Sequence, residues 1–276
     1  MFDTVIKGGL IVDGSGDAPK SGDIAIADGR IVEVGGKISG PARETIAADG
    51  ALVTPGFVDL HSHYDGQVTW DDRIEPSFSN GVTSVVVGNC GVGFAPARAE
   101  HREPLLEMME GVEAIPGVVL REGLTWDWET FPEYLDHLAA RAYTMDVGVL
   151  IPHAPIRVYA MGERGLRHEL ANGDDLALMS RLVEEGVRAG ALGFSSGRLP
   201  GHTSSKGAHI PGTFAAHDEY MELGRAMQRA GRGIFQFVPL GATGTFGGAD
   251  PVSAETREEE HRLFVEIAEA TRRPGQ

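Results

Sequence analysis

The chain is short of cysteine, lysine and positive charge. Its 276 residues include one cysteine, Cys90. That excludes an internal disulfide framework and fits a reducing compartment, the cytoplasm. Against 40 acidic residues stand 24 basic ones, a formal net charge of −16. Such a deficit argues against nucleic-acid binding, which wants a basic stripe, and disfavours an anionic membrane surface. No window approaches the roughly 18 apolar residues of a membrane span. Met1-Phe2-Asp3-Thr4 lacks the basic and then apolar stretch of a signal peptide. What is present is globular: 42% hydrophobic and 23% charged. The length is ample for one large domain or for a large and a small one.

Residues 1–56 read as a small antiparallel β unit of short strands and turns. Thr4-Val5-Ile6-Lys7 leads to Gly8-Gly9, and Leu10-Ile11-Val12 to Asp13-Gly14. Asp28-Gly29 is a hairpin signal between two alternating stretches. From residue 57 the pattern changes to apolar strands at 57–61, 82–88, 147–152, 191–196 and 234–239, nearly continuous runs as in strands buried on both faces. Helices are expected between them at 100–113, 130–141, 174–189 and 218–230, with another at 253–272. Ala270-Thr271-Arg272-Arg273-Pro274-Gly275-Gln276 then looks like a helix-to-strand connection. Strand–helix repetition means a doubly wound sheet or a (β/α)8 barrel. The nearest dinucleotide fingerprint, Gly88-Asn89-Cys90-Gly91-Val92-Gly93, opens no helix and is rejected.

The chemistry concentrates at strand ends. In Pro55-Gly56-Phe57-Val58-Asp59-Leu60-His61-Ser62-His63, two histidines one residue apart point the same way if the strand continues through them. At the C-terminal mouth of a barrel such imidazoles are ready ligands for Zn²⁺ or a similar divalent ion. A chance His-x-His in a loop is the bland alternative, and the strand placement with Asp59 and Asp65 nearby favours metal. Cys90 reads either as a small buried hydrophobe or as a thiolate completing the site begun by His61 and His63. Its place at the next strand end, between glycines, favours the ligand. His153 follows the third strand and is a candidate substrate contact or a satisfied loop residue. Arg157 is suited to a substrate carboxylate or to an ordinary ion pair. His202 lies in a polar rim loop and is left as a loop residue. His101, His137, His168, His209, His217 and His261 read as surface residues.

These residues carry a resemblance. The β unit ending in Gly56-Phe57-Val58-Asp59-Leu60-His61-Ser62-His63, followed by Gly81-Val82-Thr83-Ser84-Val85-Val86-Val87-Gly88-Asn89-Cys90-Gly91, resembles the amidohydrolase superfamily. Within it the chain is similar to the N-acyl-D-amino-acid deacylase (D-aminoacylase) family, and Cys90 is the more specific mark. The likeness extends through residues 151–165 and 190–212, and so over essentially the whole chain. It implies a zinc-dependent hydrolase on a TIM-type barrel, with a small β domain built from both chain ends. His61 and His63 would be metal ligands, and Cys90 a ligand able to bridge two metal positions, for one or two Zn²⁺. Many superfamily members use a carboxylated lysine after strand four instead. Lys7, Lys20, Lys37 and Lys206 are the only lysines here, and none ends that strand.

Two departures follow. The better-known D-aminoacylases carry a zinc-binding histidine at the end of strand five, where this chain has Phe235-Gln236-Phe237-Val238-Pro239. Their general-base aspartate belongs to strand eight, which is expected beyond Gln276, and its role is not transferred to Asp59 or Asp65.

The expected fold is therefore α/β: residues 1–56 form part of a small β domain. Residues 57–276 form a partial TIM-type (β/α)8 barrel of about five βα units, in a C-terminally truncated member. The expected reaction is hydrolysis of a linear amide, an N-acyl-D-amino acid giving carboxylate and D-amino acid. The partner is a small molecule, with no nucleic acid and no membrane, and a homo-oligomer is compatible with the sequence. Two rivals stay open: a cyclic amidase of the hydantoinase or dihydroorotase type, and a non-catalytic metal-binding fragment.

Overall fold

The structure is a computed structural model, and it describes residues 1–113, 115–241 and 253–275. The chain divides into two units, Met1–Phe57 and Val58–Gln276.

In the first unit, β1 (Phe2–Ile11) pairs antiparallel with β2 (Lys20–Ala27), and β2 with β3 (Arg30–Val34). Asp28 and Gly29 have φ of 51° and 69°, the left-handed pair that a two-residue hairpin turn demands. Two expectations are corrected. The stretches on either side of Gly8-Gly9 are one ten-residue strand. A register shift between Ile6 and Gly9 absorbs the glycines, Gly8 with φ of 73°. The unit is also mixed, not antiparallel. β4 (Ala42–Ala47) and β5 (Leu52–Val53) both run parallel to β1. Its core is thin: Val5, Ala25 and Ile38, with Phe2 and Ala42 packed against them.

The second sheet takes β6 (Phe57–Asp59), β7 (Val82–Val87), β8 (Asp146–Pro152), β9 (Gly193–Gly197) and β10 (Ile234–Val238) in the order β10-β9-β8-β7-β6. From β7 to β10 every pairing is parallel. The order climbs steadily with sequence and never turns back. A doubly wound sheet reverses at a switch point, so this is an arc of a (β/α)8 barrel. The apolar runs behave as the sequence suggests, with Val85, Val87, Leu150, Ile151, Phe194 and Phe235 all but fully buried.

Helices cover the sheet. The long β7–β8 connection holds α1 (Arg102–Glu113), α2 (Gly117–Gly123) and α3 (Phe131–Ala139). Between β8 and β9 lie α4 (His153–Met161), α5 (Glu163–Leu166) and α6 (Gly173–Ala189). Then α7 (His217–Ala230) precedes β10, and α8 (Ala254–Thr271) follows it. Both α3 and α6 begin with reciprocal caps, Thr130 with Glu133 and Asn172 with Asp175. The periodicity of α6 is obeyed: Met179, Val183 and Val187 are its buried stripe. Three helices were not expected. In α4, seven of nine residues are buried, so no polar face marks it. Four-residue α5 is too short to show a period, and α2 is bracketed by glycines, poor helix formers. Among the described residues no helix is long and apolar enough to cross a membrane.

Candidate metal centre

The site is assembled at the C-terminal ends of the strands, where side chains from successive βα units converge. Strand β6 stops at Asp59, two residues earlier than expected, so His61 and His63 lie in the bend beyond it. The bend is held by hydrogen bonds instead of by the strand. Asp59 Oδ1 accepts the His61 N–H at 3.1 Å. Ser62 donates its backbone N–H and its hydroxyl to Val86 O on β7, at 3.2 and 2.8 Å. The two imidazoles meet edge to face, with centroids 5.5 Å apart.

Cys90 reaches them from a single turn of 3-10 helix, Asn89–Gly91, after β7. Gly88, Cys90 and Gly91 all have left-handed φ, at 82°, 56° and 76°. Glycine is required at 88 because a Cβ there would sit 2.2 Å from Leu150 O. For Cys90 the conformation costs roughly 1–2 kcal/mol, so other contacts must hold it. Asn89 anchors the turn by donating to Ser62 O and Val86 O at 3.1 and 2.8 Å. The Cys90 N–H donates to Gln236 Oε1 at 3.0 Å, and the Gly91 N–H to Ser195 Oγ at 3.1 Å.

The outcome is a compact donor set. Cys90 Sγ lies 3.1 Å from His61 Nε2 and 3.5 Å from His63 Nε2. Ligand atoms of the three residues all lie within 4.8 Å of one another. Zinc–sulfur and zinc–nitrogen bonds of about 2.3 and 2.0–2.1 Å at a tetrahedral angle separate S from N by about 3.6 Å. The His63 distance matches that, and the His61 distance is about 0.5 Å shorter.

The electrostatics agree with this use. Burial, with repulsion from His61 and His202, pushes the His63 imidazole down to about 4, so it is a neutral donor at neutral pH. Burial also lowers His61. Burial and the nearby Asp65 push the Cys90 thiol up to about 12, so without a cation it keeps its proton. A metal ion reverses that balance, because a coordinating thiol is deprotonated. Asp65 is itself raised to about 7 by burial. It accepts the Gly88 N–H at 2.7 Å, and its other oxygen stands 3.9 Å from His63 Nδ1. Among the described residues, His61, His63 and Cys90 are the one such group of three.

The two residues expected at the substrate, His153 and Arg157, are joined in a buried network with Glu219. His153 opens α4 and is 1% exposed. Its Nε2 stands 2.7 Å from Glu219 Oε1 and its Nδ1 2.8 Å from Ser196 Oγ. Burial keeps the ring neutral, so Nε2–H donates to the carboxylate and Nδ1 accepts from the serine. Arg157 is 2% exposed, donating from Nη1 to both Glu219 oxygens at 2.7 Å and from Nη2 to Glu169 O at 2.6 Å. A protein carboxylate thus occupies the place where a substrate carboxylate was expected, and contact with substrate would require that pair to open. Ser196, His153 and Glu219 have the order of a nucleophilic triad, but all three are sealed from solvent.

The other histidines divide among buried, half-buried and exposed positions. His202 is half-buried and close enough for its charge to be felt by His63. His101 is buried with its ring against Tyr159, contrary to the surface reading. His137, His168 and His209 are half-buried, while His217 and His261 are exposed as expected.

Known proteins give this geometry a context. The model of the amidohydrolase family matches residues 44–274. A D-aminoacylase of Alcaligenes xylosoxydans xylosoxydans is 30% identical over 234 residues, 85% of this chain and 43% of that protein. A solved D-aminoacylase, described as having a binuclear metal centre, superposes with a TM-score of 0.79 at 26% identity over 100% of this chain and 51% of its own. The N-acyl-D-glutamate deacylase of Bordetella bronchiseptica, solved with zinc and a phosphonate inhibitor, does so at 0.70 and 26% identity, over 99% of this chain and 50% of its own. The chain thus spans about half the length of the relatives it matches. On the family match across most of its length, the chain belongs to the amidohydrolase family.

Proposed function

We propose that this chain carries the metal-binding part of a hydrolase that cleaves the linear amide of an N-acyl-D-amino acid into a carboxylate and a D-amino acid. His61, His63 and Cys90 are assigned as ligands of one or two Zn²⁺. The observation that carries the reading is the convergence of two neutral imidazoles and one thiol at the ends of two adjacent barrel strands. Support for the substrate class comes from relatives named D-aminoacylase and N-acyl-D-glutamate deacylase. Zinc in such a site polarises the amide carbonyl and brings the ionisation of water near neutrality.

The protein's own contribution is to bind and to orient. The Ser62 anchor to β7 fixes the two histidines relative to the cysteine turn. Asp59 and Asp65 are engaged by backbone N–H groups, and neither is assigned the proton-moving role. His153 and Arg157 of α4 are tied to Glu219 of α7 at a buried junction, and a substrate contact from either would open that network.

The test combines metal analysis with a hydrolysis assay on N-acetyl-D-amino acids. Bound zinc at one or two ions per chain with D-selective turnover is the expected result. Zinc without turnover supports the metal-binding fragment instead. Turnover of a cyclic imide favours the cyclic amidase, and a chain that binds no zinc overturns the site.

A further inference from the structure

We propose that Gln236 is a positioning residue for the metal centre: its amide oxygen, reaching from β10, holds the 89–91 turn in the conformation that aims the Cys90 thiol at His61 and His63. The inference rests on the metal reading above and adds to it a residue that is no ligand.

Cys90 is a side-chain-bearing residue held at φ 56° between Gly88 and Gly91 at 82° and 76°. A backbone in that region returns to ordinary conformations unless it is held. The contact at the cysteine itself comes from far away in sequence. The buried Cys90 N–H donates to Gln236 Oε1 at 3.0 Å across 146 residues, and Gln236 is 2% exposed. The next N–H, that of Gly91, donates to Ser195 Oγ on β9, and the Ser195 hydroxyl donates in turn to Gly88 O. Acceptors on two neighbouring strands thus fix two consecutive peptide groups. The turn is also seated directly on β9: a Cβ at Gly197 would stand 2.9 Å from Cys90 O, and one at Gly91 3.1 Å from Ser196 Cα.

Without the amide oxygen, a buried N–H is left with no partner. Rotation about Cys90 relieves both that penalty and the left-handed φ, and it carries Sγ away from the imidazoles. His61 and His63 keep their own anchors, Asp59 to the His61 N–H and Ser62 to Val86 O, neither of which passes through the Cys90 peptide. The predicted defect is therefore selective: sulfur coordination is lost and nitrogen coordination persists. A general loosening of the fold would not discriminate in this way.

The experiment loads the full chain with Co²⁺ and records the near-ultraviolet sulfur-to-cobalt charge-transfer band, the visible ligand-field bands, and affinity by competition with a chromophoric chelator. Gln236→Met keeps the size and removes the acceptor. It is expected to lose the sulfur band, keep ligand-field absorption and bind roughly 10–100-fold more weakly. Gln236→Glu keeps an oxygen at the same reach and is expected to retain the band with no loss of affinity. If Gln236→Met does not fold, Gln236→Asn, whose oxygen falls one methylene short, takes its place against Gln236→Glu. Unchanged band and affinity in the variant lacking the acceptor overturn the inference while leaving the metal site standing. A parent chain that binds Co²⁺ without a sulfur band, or not at all, overturns the underlying metal reading.

Discussion

Cys90 combines a left-handed backbone with a thiol that burial holds protonated. Its thiol is held up at about 12 by burial and Asp65, while the partner imidazole of His63 is already neutral above about 4. Metal binding must therefore displace a proton from sulfur, whereas it displaces none from His63 between pH 6 and 8. The sign follows: affinity rises with pH, by about tenfold per unit for each proton released. Isothermal titration with Zn²⁺ in buffers of different ionisation enthalpy measures that proton directly. Affinity independent of pH over this range excludes Cys90 as a ligand. Cys90→Ser should weaken binding by at least about tenfold, read by chelator competition.

Much of this was legible at the residue scale. Histidine and cysteine are few, and their placement after apolar runs marked them out. Gln236 and Ser195 were not legible, because a side chain that accepts from a distant backbone N–H leaves no local pattern. His202 was legible only as part of a polar rim loop; its nearness to His63, reached from a different strand, was not.

At the scale of the elements, the buried junction of α4 and α7 is the most exposed to mutation. Glu219 pairs with both His153 and Arg157. Burial alone would raise its carboxyl, but the hydrogen bonds of those two partners and the charge of Arg157 hold it below its ordinary value of 4.5. A depressed carboxyl contributes stability above its unfolded pKa and loses it as pH falls through the folded value. Acid unfolding should accordingly draw on this group below about pH 4.5. Glu219→Ala leaves Arg157 buried and unpaired, and the expected loss is roughly 3–5 kcal/mol by urea denaturation at pH 7. A loss below about 1 kcal/mol would show that Arg157 finds another partner.

The strands of the barrel arc could be read from their apolar runs, and α6 from its stripe. Helix α4 was hidden because Pro155 and a nearly all-buried surface erase the 3.6-residue signal. The parallel return of β4 and β5 onto β1 depends on pairing partners that no local pattern specifies.

Taken whole, the second unit is a parallel arc, and the ligands proposed for it follow its first two strands. Metal that binds only the folded state stabilises it by mass action, about 2.7 kcal/mol at a hundredfold excess over Kd. Thermal unfolding should therefore shift upward with Zn²⁺ and return on chelation, and Cys90→Ala should remove most of the shift. An equal shift in that variant would place the stabilising metal elsewhere. Repetition alone left a doubly wound sheet and a barrel open; the family resemblance implied the barrel, and with it the unreversed strand order.

Cys90 and His61 are 29 residues apart, whereas the hydrogen bond that orients the cysteine spans 146. If these are the ligands, a partly folded chain with β6 and β7 in place already owns the three proposed donors, but not their aim. That arrives only when β10 docks, after the longest loop closure in the site. Tight coordination would then await β10, and a chain arrested before its fifth barrel strand should hold zinc loosely despite carrying all three proposed ligands.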